Sequence, residues 1–151
     1  MIALLGVVMM TACSDDDDFL GKDNEYAANQ AELLQTWKLI GYGSEEDFHM
    51  LNKEFRKESE IWGYRFWIAF RPDGSFDGQD AVNQLWGKYT CKGNQIKIEE
   101  YGGTEIDDNN NESHEFGKRF QASSIYGIKD GKKLRMYYSD KEFLYFESID
   151  D

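Results

Sequence analysis

Past residue 64 the chain is a succession of short runs that alternate apolar and polar residues, and nearly every run stops at a tight-turn signal. Tyr64–Phe70 places Phe66, Ile68 and Phe70 on one face and Arg65, Trp67 and Ala69 on the other, which is strand periodicity. Pro72-Asp73-Gly74 ends it; Pro fixes φ and Gly permits a positive one, so the triplet is a turn. Ser75–Asp80, Leu85–Lys92 and Gln95–Glu99 follow, the last two joined at Gly93-Asn94. Ile125–Lys129 runs into Asp130-Gly131, and Leu134–Tyr138 and Phe143–Ser148 flank Ser139-Asp140. With Thr36–Tyr42 this makes about eight strands. The expected fold is mainly β: an antiparallel meander that hides its edges by curling into a small barrel, closed or incomplete.

One or two helices are expected against that sheet. Ser44 precedes Glu45, Glu46 and Asp47, with Lys53, Arg56 and Lys57 further on; this order suits an N-cap and the helix dipole. Phe48, Leu51 and Phe55 recur at helical spacing. A second helix is expected from His114 to about Ser123, with Phe116 and Phe120 one turn apart, and Ala27–Leu34 reads as a short lead-in helix. Aromatic residues make up 15% of the chain, ample for a core in a single domain of this length.

The first 30 residues have a different character. Ile2–Met10 is an apolar run too short to span a bilayer as a helix and of the length found in signal peptides. Residues 1–12 are therefore expected to be a lipoprotein signal peptide. Met10-Thr11-Ala12-Cys13 resembles the lipobox of bacterial lipoproteins, in which the thiol of the cysteine, here Cys13, takes the lipid. Ser14, Asp15, Asp16, Asp17 and Asp18 then resemble the surface-export signal of Bacteroidetes-type lipoproteins. Residues 13–30 read as the lipidated cysteine and an acidic tether, and residues 31–151 as the β domain. The expected location is the outer membrane, anchored through Cys13 and exposed at the cell surface; facing the periplasm is the alternative.

The stretch FRPDGSFDGQDAVNQLWGKY, Phe70–Tyr89, resembles the META-domain family, the HslJ-like envelope lipoproteins. Phe70, Asp73, Gly74, Gly78, Asn83, Gly87 and Tyr89 occupy the family's places. Ala81-Val82 stands where the family often has Gly-Cys. A lipocalin-like lipoprotein domain, with a Trp in its first strand and a similar meander, is the competing assignment. The META resemblance implies a β-meander with a helix, no enzyme activity, no cofactor, and envelope roles of binding or scaffolding. A lipocalin-like resemblance implies instead a carrier of a small apolar or glycan ligand. Gly78 and Gly87 read as backbone requirements and Asn83 as a turn fastener.

The net charge of −12 excludes a basic stripe for nucleic acid. About half of that charge lies in the first 32 residues, where seven acids face Lys22 alone. No phosphate loop, nucleophile elbow or HExxH motif is present. The loop 107–112 repeats the first oxygen positions of a calcium loop but lacks its sixth-position glycine and its final glutamate, so no metal ligands are assigned. If Cys13 carries lipid, Cys91 has no disulfide partner and reads as a small apolar residue in a strand. The candidate contacts for a ligand or an envelope partner are aromatic: Trp67, Tyr137 and Tyr145, on the strand faces opposite Ile68, Met136 and Phe146.

Overall fold

The computed structural model describes residues 20–56, 58–59, 63–106 and 111–149. Cys13, the export stretch 14–18 and loop residues 107–110 lie outside the described residues. The strands are β1 (Thr36–Gly43), β2 (Phe48–Met50), β3 (Glu58–Ser59), β4 (Gly63–Tyr64), β5 (Trp67–Phe70), β6 (Ser75–Gln79), β7 (Gln84–Lys92), β8 (Gln95–Gly103), β9 (Ile125–Lys129), β10 (Lys133–Tyr137) and β11 (Phe143–Ser148). The helices are α1 (Gln30–Leu33), α2 (Lys53–Arg56) and α3 (Glu112–Ala122).

Nine strands form one antiparallel sheet in the order β11-β10-β9-β8-β7-β6-β5-β1-β2, and β1 also pairs with β11. That pairing closes a ring of eight strands, with β2 as a flap. β1 manages three partners by dividing its length. Its first residues, Thr36–Lys38, pair with β5, while Gly41–Gly43 pair with β2 on the same side. β3 and β4 make a separate two-stranded sheet.

The ring is not a regular barrel. β7 and β8 pair along their whole length, whereas β8 meets β9 at a single pair, Gln95 with Ile125. The strands diverge there, and the connection between them contains α3. Phe116 and Phe120 from this helix are buried in the ring's interior. Their rings stand 5.6 Å apart, and Phe120 meets Phe76 edge-on at 5.2 Å. The chain of rings continues from Phe116 to Phe66 and Phe55. Trp37, Leu39, Ile68, Leu134, Met136, Leu144 and Phe146 complete the packing. The helix thus closes by side-chain burial a gap that hydrogen bonds leave open.

The helix expected from Ser44 is not formed. Ser44 Oγ does accept from the Asp47 amide at 3.0 Å, as an N-cap would, but the Ser44 amide also donates to the Asp47 carbonyl at 3.1 Å. The result is a tight turn that returns the chain along β1. Gly43 makes the reversal practicable at φ +131°, a region closed to most side chains. Phe48 then packs outside the ring against Phe143 and Tyr145, at 6.3 and 6.0 Å, while Leu51 and Phe55 enter the core. Helical spacing put all three on one face. Two separate cores claim them instead, and among the described residues of this segment only the four of α2 are helical.

Residues 20–30, expected as the last part of a free acidic tether, lie on the domain. Ala27 exchanges both backbone hydrogen bonds with Ile128, at 3.0 and 2.8 Å. It takes up the edge of β9 that β8 has left unpaired.

Candidate functional site

Two outer surfaces carry the residues that sequence reasoning singled out. The first lies over β10 and β11. Alternation sends Leu134, Met136, Leu144 and Phe146 inward and Arg135, Tyr137, Phe143 and Tyr145 outward. This outward face is covered. Tyr145 is fully buried beneath Leu20, Ile40 and Phe48, and its hydroxyl donates to Glu147 at 2.9 Å. Burial is the main reason its pKa lies far above the usual tyrosine value.

The centre of that face is Arg135, also fully buried. Its guanidinium lies between the rings of Tyr26 and Phe143, 4.2 and 4.3 Å from their centroids, an arrangement that favours a cation. Its Nη2 donates to the carbonyls of Leu20 and Gly21, both at 3.1 Å, and to Glu45 at 3.2 Å. Its Nη1 donates to the Tyr137 hydroxyl at 2.9 Å, and that hydroxyl donates in turn to Asp23. Desolvation, with Asp23 second, pushes the Tyr137 hydroxyl up to about 12. Tyr137 and Tyr145 therefore serve first to fasten the N-terminal segment to the ring. A sequence pattern could not anticipate this, because the alternation of Lys133-Leu134-Arg135-Met136 makes Arg135 look like an ordinary solvated residue.

The second surface lies across β5, β6, β7 and β8. Cross-strand pairing sets two rows on its outer face. Trp67 pairs with Gln79, and Gln79 with Gln84; Ala69 pairs with Asp77, Asp77 with Trp86, and Trp86 with Gly102. Trp67 is half-buried here, far along the sheet from Tyr137. Its companion is Trp86, half of whose surface is exposed (50%). Trp86 was not singled out from the sequence. The signal was nonetheless present: a tryptophan between Gln84 and Lys88 on the polar face of an alternating strand.

Beside this face is a groove of about 470 Å³ lined by Arg65, Gln79, Ala81, Val82, Asn83, Gln84, Thr104 and Ile106. Val82 and Ile106 are exposed apolar residues (39% and 60%) on its walls. The family-motif residues build this rim. Asn83 Nδ2 donates to the Ile106 carbonyl at 2.9 Å, and its Oδ1 accepts from the Thr104 hydroxyl and the Ile106 amide, both at 2.7 Å. Asp80 Oδ1 accepts from the amides of Val82 and Asn83, at 3.0 and 2.7 Å. Gly78 is a close approach: a Cβ there would stand 2.5 Å from the Trp67 carbonyl and 2.6 Å from Ile68 Cδ1. Gly87 is crowded in the same way by Phe76 and the Glu100 carbonyl. Tyr89 donates its hydroxyl to the Arg71 carbonyl at 2.8 Å.

Cys91 is half-buried against the main core, and burial pushes its thiol up to about 11. Among the described residues no group of three His, Cys, Asp or Glu side chains is arranged to hold a metal ion, and no helix is long and apolar enough to cross a membrane.

Residues 31–150 match the META domain model, so the chain belongs to the META-domain family. A META domain fits a non-catalytic role. Two solved structures share the fold. One is a DUF4847-family protein from Bacteroides vulgatus, 14% identical, with a TM-score of 0.59 over 81% of this chain and 97% of that one. The other is a protein from Burkholderia xenovorans determined by NMR, 13% identical, with a TM-score of 0.58 over 82% of this chain and 90% of that one. No curated protein is a significant match.

Proposed function

We propose that this META-domain protein is a non-catalytic lipoprotein of the bacterial cell envelope. A lipid on Cys13 holds it in the outer membrane, Ser14–Asp18 direct it to the cell surface, and its folded domain binds or scaffolds there. The observation that carries the binding role is the filled ring. Trp37, Phe66, Phe76, Phe116, Phe120 and Phe146 occupy the interior, so the space a lipocalin-like carrier would use is taken by side chains. Recognition then falls to the outer surface, where Trp86, Val82 and Ile106 are exposed beside a groove. The anchoring role rests on Met10-Thr11-Ala12-Cys13 and the aspartates after it.

The test is fractionation and protease shaving of intact cells. The native protein is expected in the outer-membrane fraction and sensitive to added protease. Cys13→Ala should move it to the soluble fraction. Replacing Asp15–Asp18 by Asn should leave it membrane-bound but protected. A Cys13→Ala protein that stays with the membrane would overturn the anchor.

A further inference from the structure

We propose that the face formed by Trp86, Gln79, Gln84 and Arg65 binds a saccharide bearing a carboxylate, a uronate in chemical class. The proposal rests on the binding role given above and names its ligand.

The platform is Trp86. Gly102 lies directly opposite it on β8, and a Cβ at Gly102 would stand 3.2 Å from the indole Nε1 and 3.7 and 3.8 Å from Cε2 and Cδ1. The Nε1 edge of the indole therefore comes against a residue that has no side chain, while half of the Trp86 surface stays open to solvent. A flat, half-exposed indole on a sheet surface matches the apolar C–H face of a pyranose, and its edge keeps an N–H donor for a hydroxyl.

The polar groups stand where the next sugar would be. Gln84 is two residues from Trp86 on the same strand face, about 6.6 Å along the strand. Gln79 sits directly opposite Gln84 on β6. Gln84 is exposed, and Gln79 and Arg65 are partly exposed, so their polar ends are open to a ligand. Each Gln amide offers two donors and an acceptor, the complement of a sugar's hydroxyls.

Charge decides the sugar class. The protein carries −12, yet no acid lines this groove, and its single charged residue is Arg65. The contrast is local: the hollow beside Arg135 is lined by Asp23, Glu45, Glu46 and Asp140. Asp77, opposite Trp86 on the adjoining face, is paired with Arg71, and the groove itself, with one guanidinium at its wall and apolar Val82 and Ile106 around it, suits a ligand that brings its own carboxylate.

The test uses the Cys13→Ala protein. Hexasaccharides of galacturonate, mannuronate and hyaluronan are titrated against it, with maltohexaose as the neutral control, read by calorimetry and by tryptophan fluorescence. At least one uronate should bind more tightly than maltohexaose. Trp86→Ala, an exposed position that leaves the fold's circular dichroism unchanged, should weaken that binding roughly tenfold or more. Arg65→Gln should remove the preference for the uronate over the neutral sugar. Absence of binding by every uronate at millimolar concentration overturns the proposal. So does equal affinity for maltohexaose, or a uronate affinity indifferent to Trp86→Ala. None of these results alters the membrane fractionation of Cys13→Ala, so failure here is distinguishable from failure of the envelope reading.

Discussion

Asn83 holds the groove's rim by one side chain. All three of its side-chain bonds reach the 104–106 segment, and the residue is buried. Asn83→Ala leaves the Ile106 amide and carbonyl without partners and is expected to cost about 1–3 kcal/mol, read as a lowered urea midpoint. Asn83→Asp keeps the acceptor and should cost less. Gly78 acts by absence of a side chain. The carbonyl and the methyl that a Cβ would meet belong to β5, which has no room to yield, so Gly78→Val should destabilise by about 1–3 kcal/mol or more; an unchanged melting midpoint would contradict the close approach. Both residues stand in the Phe70–Tyr89 motif, and their structural character was legible there because Asn at a turn and Gly in a strand have definite physical uses. Arg135 was not legible. Nothing local separates a solvated arginine from one that a distant segment will cover.

At the scale of elements, the strand runs from β5 onward follow the alternation closely, because each turns one face into the ring's core and tight turns join β5 to β6, β7 to β8 and β9 to β10. The exception is the segment after Ser44. Its cap signature is real, but Phe48 is drawn to the outer cluster and Leu51 to the inner one, and β2 results. The N-terminal segment is the second lesson of this kind. Residues 20–27 carry no strand pattern, yet Arg135, Tyr26 and Ala27 bind them to β9 and β10. Arg135→Ala removes the donors of Leu20 and Gly21 and parts the Tyr26 and Phe143 rings; a loss of about 3–5 kcal/mol is expected. Amides of residues 20–27 should then exchange hydrogen faster than those of β10. Equal protection in the variant would mean the segment is held by something other than Arg135. In α3, Phe120→Ala opens the interior and should cost about 3–5 kcal/mol.

For the molecule as a whole, the buried hydroxyls and the thiol set an alkaline limit. Burial raises Tyr126 and Tyr137 from 10.0 to about 12, and Cys91 from 9.0 to about 11. Each folded-state pKa exceeds its unfolded value, so each contribution is complete below the unfolded pKa. It is lost as pH rises, from about 9 to 11 for the thiol and from about 10 to 12 for the hydroxyls. The melting temperature should therefore be flat around neutrality and fall steeply above pH 10; a fall that begins below pH 8 would contradict this origin. The docked N-terminal segment also bears on the proposed anchoring. If a lipid on Cys13 anchors the chain as proposed, six residues separate it from Leu20, a reach of at most about 25 Å. The fold class was readable from pattern, and the META membership from the resemblance of Phe70–Tyr89. The proposed binding face was read only in part: Trp67 lies beside it, Trp86 was passed over, and Tyr145 is covered.

The most direct test of a filled ring that binds on its outside is native mass spectrometry of the Cys13→Ala protein purified from its source cells. A packed interior retains nothing through gel filtration, and a saccharide on an open face washes away, so the expected result is the mass of the bare polypeptide. A reproducible extra apolar mass that leaves only on denaturation would contradict the account and place a ligand inside the ring.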